Sequence, residues 1–333
     1  MGHRANLIVV RGGGYDLRYS HWAANSLPRD LFWGPRHAIA FTEAQPAAGT
    51  EWLDDVWAEG GSVIDVDRRV FRLFGGEDLR YDVPLRRLYL SLLGVAWRGW
   101  DVGWADEGIA DLADYVGYPR ERVITPAEDR LAPPDLRPPQ SPDHVEVVGS
   151  ARLEDGSLRL FPLEWNVDDH LLLSGSKVAA AVASRPGLGR LALAEWTNTF
   201  PTGGFHLDLG AKRLFYWTAG DQPGVSTRLA ARWPGWSVTW LRDRYEDQLA
   251  ACGGALSFPV RTPSALFDEL RSMLLHQRKV SPVETMLRLT ERERAAGKTV
   301  EINSSALRDE RVELAAETRA EILRRAAIEL GFS

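Results

Sequence analysis

The chain has 333 residues, 44% hydrophobic and 26% charged, with a formal net charge of -6. A chain of this length buries a sizeable core without staples, which excludes disulfide-scaffold, collagen-like and wholly disordered classes. The acidic excess falls in the first 261 residues and no basic run occurs, which argues against DNA, RNA or an anionic membrane as the main partner and leaves a basic or neutral one open.

In chain order, ANLIVV and YDLRYSHW flank a Gly-rich turn at Gly12–Gly14 and predict a β-hairpin. A helix is expected over 27–44 with Ser26 as its cap. SVIDVD and RVFRLFG predict a second hairpin turning near Asp67-Arg68. Residues 84–96 predict a helix, with apolar spacing at Leu85, Leu88, Leu90, Leu92 and Leu93. Trp100, Val102 and Trp104 alternate as one face of a strand, and 106–116 predict a short helix.

Residues 125–143, containing TPAEDRLAPPDLRPPQSP, are too proline-rich for a helix interior or a central strand and predict a semi-rigid linker. Beyond it the order repeats. VEVVGSARL and SLRLFPLEW predict a hairpin across Asp155-Gly156, and a helix follows over about 175–185. LALAEW reads as a strand, and FHLDL with RLFYW as another hairpin. Helices near 224–232 and 242–251 flank a strand at 236–240. The tail predicts three helices. One starts at Thr262-Pro263, one at the capping box Ser281-Pro282-Val283-Glu284 and ends by Gly297, and one spans 308–330 before Gly331.

Self-comparison sharpens the repetition. At a shift of 143 residues, Trp22 falls on Trp165, Gly60-Gly61 on Gly203-Gly204, Asp65 on Asp208 and Phe74 on Trp217. At a shift of 136, Trp97, Gly99, Trp100, Val102 and Trp104 fall on Trp233, Gly235, Trp236, Val238 and Trp240, and Asp111 on Asp247. The expected architecture is α+β, an internal duplication of a mostly antiparallel unit of about 110 residues, plus a C-terminal helical appendage. The expected boundaries are 1–124 for the first repeat, 125–143 for the linker, 144–258 for the second repeat and 259–333 for the helical region.

Several residues have two readings. The recurrent tryptophans either stack on a ligand or partner, or form core, and recurrence favours core because a fold repeats its packing more readily than its ligand. Asp65, which can share a strand face with Asp67, and Asp208, beside His206, either bind a cation or act in acid–base work, or bond the backbone of hairpin turns. His21 aligns with Glu164, each before an aligned Trp, so the pair is a candidate asymmetric polar site. Cys252, the single cysteine, follows a predicted helix and reads as an inert core thiol. It offers no zinc framework and suits a reducing compartment.

The N-terminal apolar run is four residues, too short for a signal-peptide core, so a cytoplasmic address is expected. Arg outnumbers Lys by 36 to 4, a composition expected of a GC-rich bacterial genome. No P-loop, nucleophile-elbow, zincin or dinucleotide-binding motif occurs, and no cofactor or metal is expected. The leading functional reading is a soluble protein-binding scaffold of inhibitor or immunity type, with loop aromatics around Trp33 and Trp52. The alternative is a motif-poor enzyme of specialised metabolism acting on a small anionic substrate between the repeats. Its catalytic candidates are His21, Glu164, Asp65, Asp208 and His206, with Arg4, Arg68, Trp22 and Trp165 to bind substrate. A structural subunit held by the tail is a third reading, and the sequence leaves the oligomeric state open.

Overall fold

A computed structural model describes residues 2–126, 136–141, 144–164, 172–276 and 281–332. The chain divides into two compact units. The first comprises Met1–Leu79, Pro84–Thr125 and Pro263–Ser333, and the second Arg80–Val83 and Pro126–Thr262. The greater part of the proline-rich linker, and Trp165, lie outside the described residues.

The first unit opens with the expected hairpin, β1 (Ala5–Arg11) and β2 (Gly14–Ser20), and continues through α1 (Leu27–Asp30) and α2 (Pro35–Ala44). The single helix expected over 27–44 is thus two. Gly34 sits at φ 97°, a backbone state that a β-carbon disfavours, and Pro35 starts α2 because it cannot donate a hydrogen bond inside a helix. Ser26 does not cap α1; its hydroxyl donates to the Ala23 carbonyl at 3.2 Å. The second hairpin, β3 (Gly60–Asp65) and β4 (Val70–Phe74), leads through α3 (Glu77–Tyr81) and α4 (Val83–Ala96) to β5 (Asp101–Trp104) and α5 (Ile109–Tyr115).

The second unit repeats this order. Its hairpin is β6 (Val147–Arg152) and β7 (Leu158–Leu163), followed by α6 (Lys177–Ser184) and a two-residue β8 (Leu191–Ala192). LALAEW is therefore not a full strand. The chain tightens into a 3-10 turn at Leu193–Glu195, which keeps Leu193 in the same apolar cluster as Leu191. Next come β9 (Gly203–Asp208), β10 (Arg213–Thr218), α7 (Val225–Arg232), β11 (Ser237–Trp240), α8 (Glu246–Ala251) and β12 (Leu256–Ser257), which pairs with β8. The tail contributes α9 (Pro263–Leu275), α10 (Pro282–Ala295) and α11 (Ala316–Glu329) to the chain. The last helix starts at Ala316 rather than 308.

Each unit holds a five-stranded sheet, ordered β2-β1-β3-β4-β5 in the first and β7-β6-β9-β10-β11 in the second. The expectation of mostly antiparallel sheets is corrected. The hairpin pairs are antiparallel, but β1 runs parallel to β3 and β4 to β5, with the same alternation in the second sheet. Hairpin turns are visible as local sequence signals. The helical crossovers that return the chain for a parallel pairing are not.

The registers also correspond. Gly61 faces Phe74 as Gly204 faces Trp217, and Val70 faces Asp101 as Arg213 faces Ser237. These are offsets of 143 and 136 residues, the two found by self-comparison. Both sheet faces are covered. In the first unit Leu7, Ile64, Phe71 and Leu73 pack with α4 and with Leu270 of α9 and Leu323 of α11 on one face. Ile8, Val63 and Phe74 pack with α5 on the other. Among the described residues no helix is long and apolar enough to cross a membrane.

Candidate functional site

The two repeated aspartates occupy the same place in the two hairpins. The Asp65 carboxylate accepts the Arg68 N–H at 2.9 Å, and the Asp208 carboxylate accepts the Ala211 N–H at 2.9 Å. Each holds a turn that passes through a left-handed residue, Arg69 at φ 56° and Lys212 at φ 49°. The second oxygens differ. Asp65 accepts from the Tyr115 hydroxyl at 2.8 Å, and Asp208 from the Arg213 guanidinium at 3.0 Å. Burial, and then the Asp65 carboxylate, push the Tyr115 phenol above its usual range. The Ala211 N–H and Arg213 hold Asp208 below the usual carboxylate range. Asp67 does not complete a free carboxylate pair with Asp65, because it accepts the Gly13 N–H at 3.2 Å.

His206 is buried on β9, its ring stacked on Phe215 with centroids 5.0 Å apart. Its Nδ1 lies 2.9 Å from the Ser150 hydroxyl oxygen. That hydroxyl also lies 2.9 Å from the Phe205 carbonyl and accepts the Gln248 amide N–H at 3.0 Å. Burial, reinforced by the Arg152 charge, lowers the His206 pKa to about 4.

Gln248, on α8, completes this cluster and was not singled out from the sequence. Its amide nitrogen donates to the Val148 and Phe205 carbonyls, both at 2.8 Å, and its oxygen accepts from the Trp217 indole at 2.7 Å. A polar residue on the inward face of a short helix was the available signal. The cluster also accounts for Gly204: a β-carbon there would lie 2.2 Å from the Gln248 side-chain oxygen. Cys252 is buried nearby, and burial raises its thiol pKa.

His21 is buried, with Nδ1 2.9 Å from the Tyr19 hydroxyl and its ring edge-on to Trp22 at 4.7 Å. The Trp22 indole donates to the Ala306 carbonyl at 3.1 Å. Arg4 and Arg68, expected to hold one anion, do not meet. Arg4 precedes the Ala5–Gly60 end of the β1–β3 pair and Arg68 follows the Val10–Asp65 end, a separation of roughly 17 Å along the strands. Glu164, at the end of β7, is half-buried, and its charge adds to the burial that raises the Glu146 pKa.

The recurrent tryptophans are packing residues. Trp97 donates to the Leu31 carbonyl at 3.1 Å and Trp233 to that of Leu172 at 2.8 Å. Each stands edge-on to the next tryptophan, Trp100 or Trp236, at 5.1 and 5.0 Å. Trp33, read from the sequence as a loop aromatic, is buried, and Trp52 is half-buried and stacked on Tyr118 at 4.9 Å.

Three aromatics among the described residues are exposed, Tyr15, Tyr81 and, most of all, Trp57. Trp57 is 52% exposed and Val56 beside it 61%. Their loop is firmly braced. The Asp54 carboxylate accepts both their N–H groups at 3.1 Å, and the Asp55 carboxylate accepts the Thr125 N–H at 2.8 Å. The buried Asn6 side chain accepts the Leu53 N–H at 2.7 Å. The Arg4 guanidinium lies over the Trp57 ring, 4.4 Å from its centroid. Among the described residues no group of three or more His, Cys, Asp or Glu is placed to hold a metal ion. Comparison with protein families, curated proteins and solved structures finds no match.

Proposed function

We propose that the chain is a protein-binding scaffold, built by duplication of one α+β unit, and that its first unit engages a partner protein through the 51–59 loop. The observation that carries this is the exposed Trp57 on a braced loop. Tryptophan and arginine are the residue types that most often dominate interface energetics, and a rigid presentation lowers the ordering cost of binding. Glu51, Asp54, Asp55 and Glu59 give the loop a negative charge, against the single Arg4 over the ring. The matching partner has an apolar pocket rimmed by basic residues. An inhibitor or immunity-type role is one use of such a scaffold, in the reducing cytoplasm that the lone buried Cys252 suits.

Duplication draws support from the shared strand order, pairing sense and register of the two sheets. The enzyme reading draws less, because Asp65, Asp208 and His206 are all engaged in local hydrogen bonds.

The test compares wild type with Trp57→Ala as bait in the source cell's extract, with native mass spectrometry of the eluted complexes. A stoichiometric protein partner should ride with wild type and be lost from the variant, whose melting temperature stays close to wild type. A partner retained equally by both would remove the loop from the reading, and bait recovered alone would remove the scaffold.

A further inference from the structure

A second feature of the first unit points to a small ligand and stands apart from the loop. A recess of about 420 Å³ lies among α1, α2 and the segment leading into α11, within the usual size range of small-molecule sites. Two of its arginines are already matched. Arg29 pairs with Asp30 at 3.2 Å, and the Arg311 Nε donates to Asp309 at 3.0 Å. Arg319 is different. It reaches in from the first turn of α11, with its guanidinium carbon 6.0 Å from the centre of the Trp33 ring. Its Nε is buried and meets no acceptor among the described residues. A buried guanidinium N–H calls for an acceptor, and the planar fork fits a carboxylate. The exposed Glu310 and Glu313 also line the recess. With them the carboxylates outnumber the arginines by four to three. That balance disfavours a dianion such as phosphate and favours an anion that carries its own cation.

We propose that this recess binds a small zwitterionic carboxylate of the free amino-acid type, its carboxylate on Arg319 and its cation toward Glu310 and Glu313.

His37, half-buried on α2, provides the reporter. Burial lowers its pKa first, Asp30 opposes the shift and Arg319 adds to it. The other charges around the recess are the matched Arg29 and Arg311 with Asp309, the two glutamates, and His276. A carboxylate on Arg319 offsets the repulsion that Arg319 exerts on a protonated His37. Binding therefore takes up a proton at His37 and strengthens as pH falls.

The experiment uses the full chain carrying histidines labelled with carbon-13 at Cε1. It is titrated by NMR with each of the twenty free L-amino acids, and with acetate and inorganic phosphate as reference probes. His37→Gln assigns the resonance. At least one amino acid should saturate the His37 shift, raise its titration midpoint, and bind more tightly at about pH 6 than at about pH 8. Arg319→Gln should weaken that binding about tenfold or more. Arg319→Lys, which keeps the charge but loses the fork, should weaken it several-fold, and it decides the matter should circular dichroism show the glutamine variant unfolded. Trp57→Ala should leave the titration unchanged, so this site and the loop stand or fall separately. No shift with any amino acid, phosphate binding more tightly than every carboxylate, or wild-type affinity in the Arg319 variants would overturn the proposal.

Discussion

The two units share their strand wiring and differ in one layer of their cores. Register places Ile8 and Val63 of the first sheet where the second has Ser150 and His206. The 136-residue shift places Leu112 opposite Gln248, and local packing agrees. A β-carbon on Gly61 would meet Leu112 and Phe74, as one on Gly204 would meet Gln248 and Trp217. The first unit thus fills this layer with apolar side chains. The second fills it with a closed set of hydrogen bonds running from Ser150 to His206 and from Gln248 to Trp217. The same backbone accepts either solution, provided each is complete. A fully satisfied polar network fixes one arrangement of its members, whereas a partly satisfied one costs more than an apolar core.

The largest effect should come from breaking that network at its centre. Gln248→Leu copies one residue of the first unit and leaves the Trp217 indole, the Val148 carbonyl and the Ser150 hydroxyl short of partners. At 1–3 kcal/mol for each buried group left unsatisfied, the loss should be about 4 kcal/mol. Adding Ser150→Ile and His206→Val to Gln248→Leu should recover part of that loss, because the Ser150 hydroxyl and the His206 imidazole then leave with the amide, while the Trp217 indole and the Val148 carbonyl stay unpaired. Urea unfolding of the single and triple variants reads both. A triple variant less stable than the single one would show that the two layers are not interchangeable.

A smaller effect separates the units by pH. His206 has a folded pKa of about 4, below its ordinary value of 6.5. Between those values the unfolded chain binds more protons than the folded one, so stability falls as pH drops below about 6.5 and levels off near 4. The shift corresponds to at most about 3 kcal/mol over that window. His206→Val places the first unit's residue there and should flatten this part of the profile. Thermal melts of both proteins across the window measure it, and an unchanged slope in the variant would assign the pH dependence to other groups.

Hairpins were legible because turn residues and strand alternation lie next to one another in sequence, as at Asp155-Gly156. The repetition was legible because tryptophans and glycines serve the same packing in both units. The parallel pairings were not legible, because nothing local marks the strand to which a crossover returns. The division of α1 from α2 was available at Gly34-Pro35, because a proline starts a helix more readily than it continues one. Turn-holding roles for Asp65 and Asp208 could be weighed from position alone. The network around His206 could not, because its members lie on β6, β9 and α8, and only the folded sheet brings them together. Trp57 was equally hidden, since sequence does not show which of several loop aromatics stays in solvent.

The smallest effect tests the turns, where the units agree in one hydrogen bond and differ in the other. Asp65→Ala and Asp208→Ala each remove the carboxylate that accepts a backbone N–H three residues on. That shared loss should cost about 1 kcal/mol in either hairpin. Asp208 also releases Arg213, a largely exposed side chain that water solvates at little cost. Asp65 is buried and also orients the Tyr115 hydroxyl on α5, so its removal breaks a tie between the hairpin and the helix. Asp65→Ala should therefore be the more damaging by about 1 kcal/mol, and adding Tyr115→Phe to it should cost little more. Unfolding free energies for the three variants decide this. Equal losses from the two aspartate variants would mean that the Tyr115 bond adds nothing to the common turn.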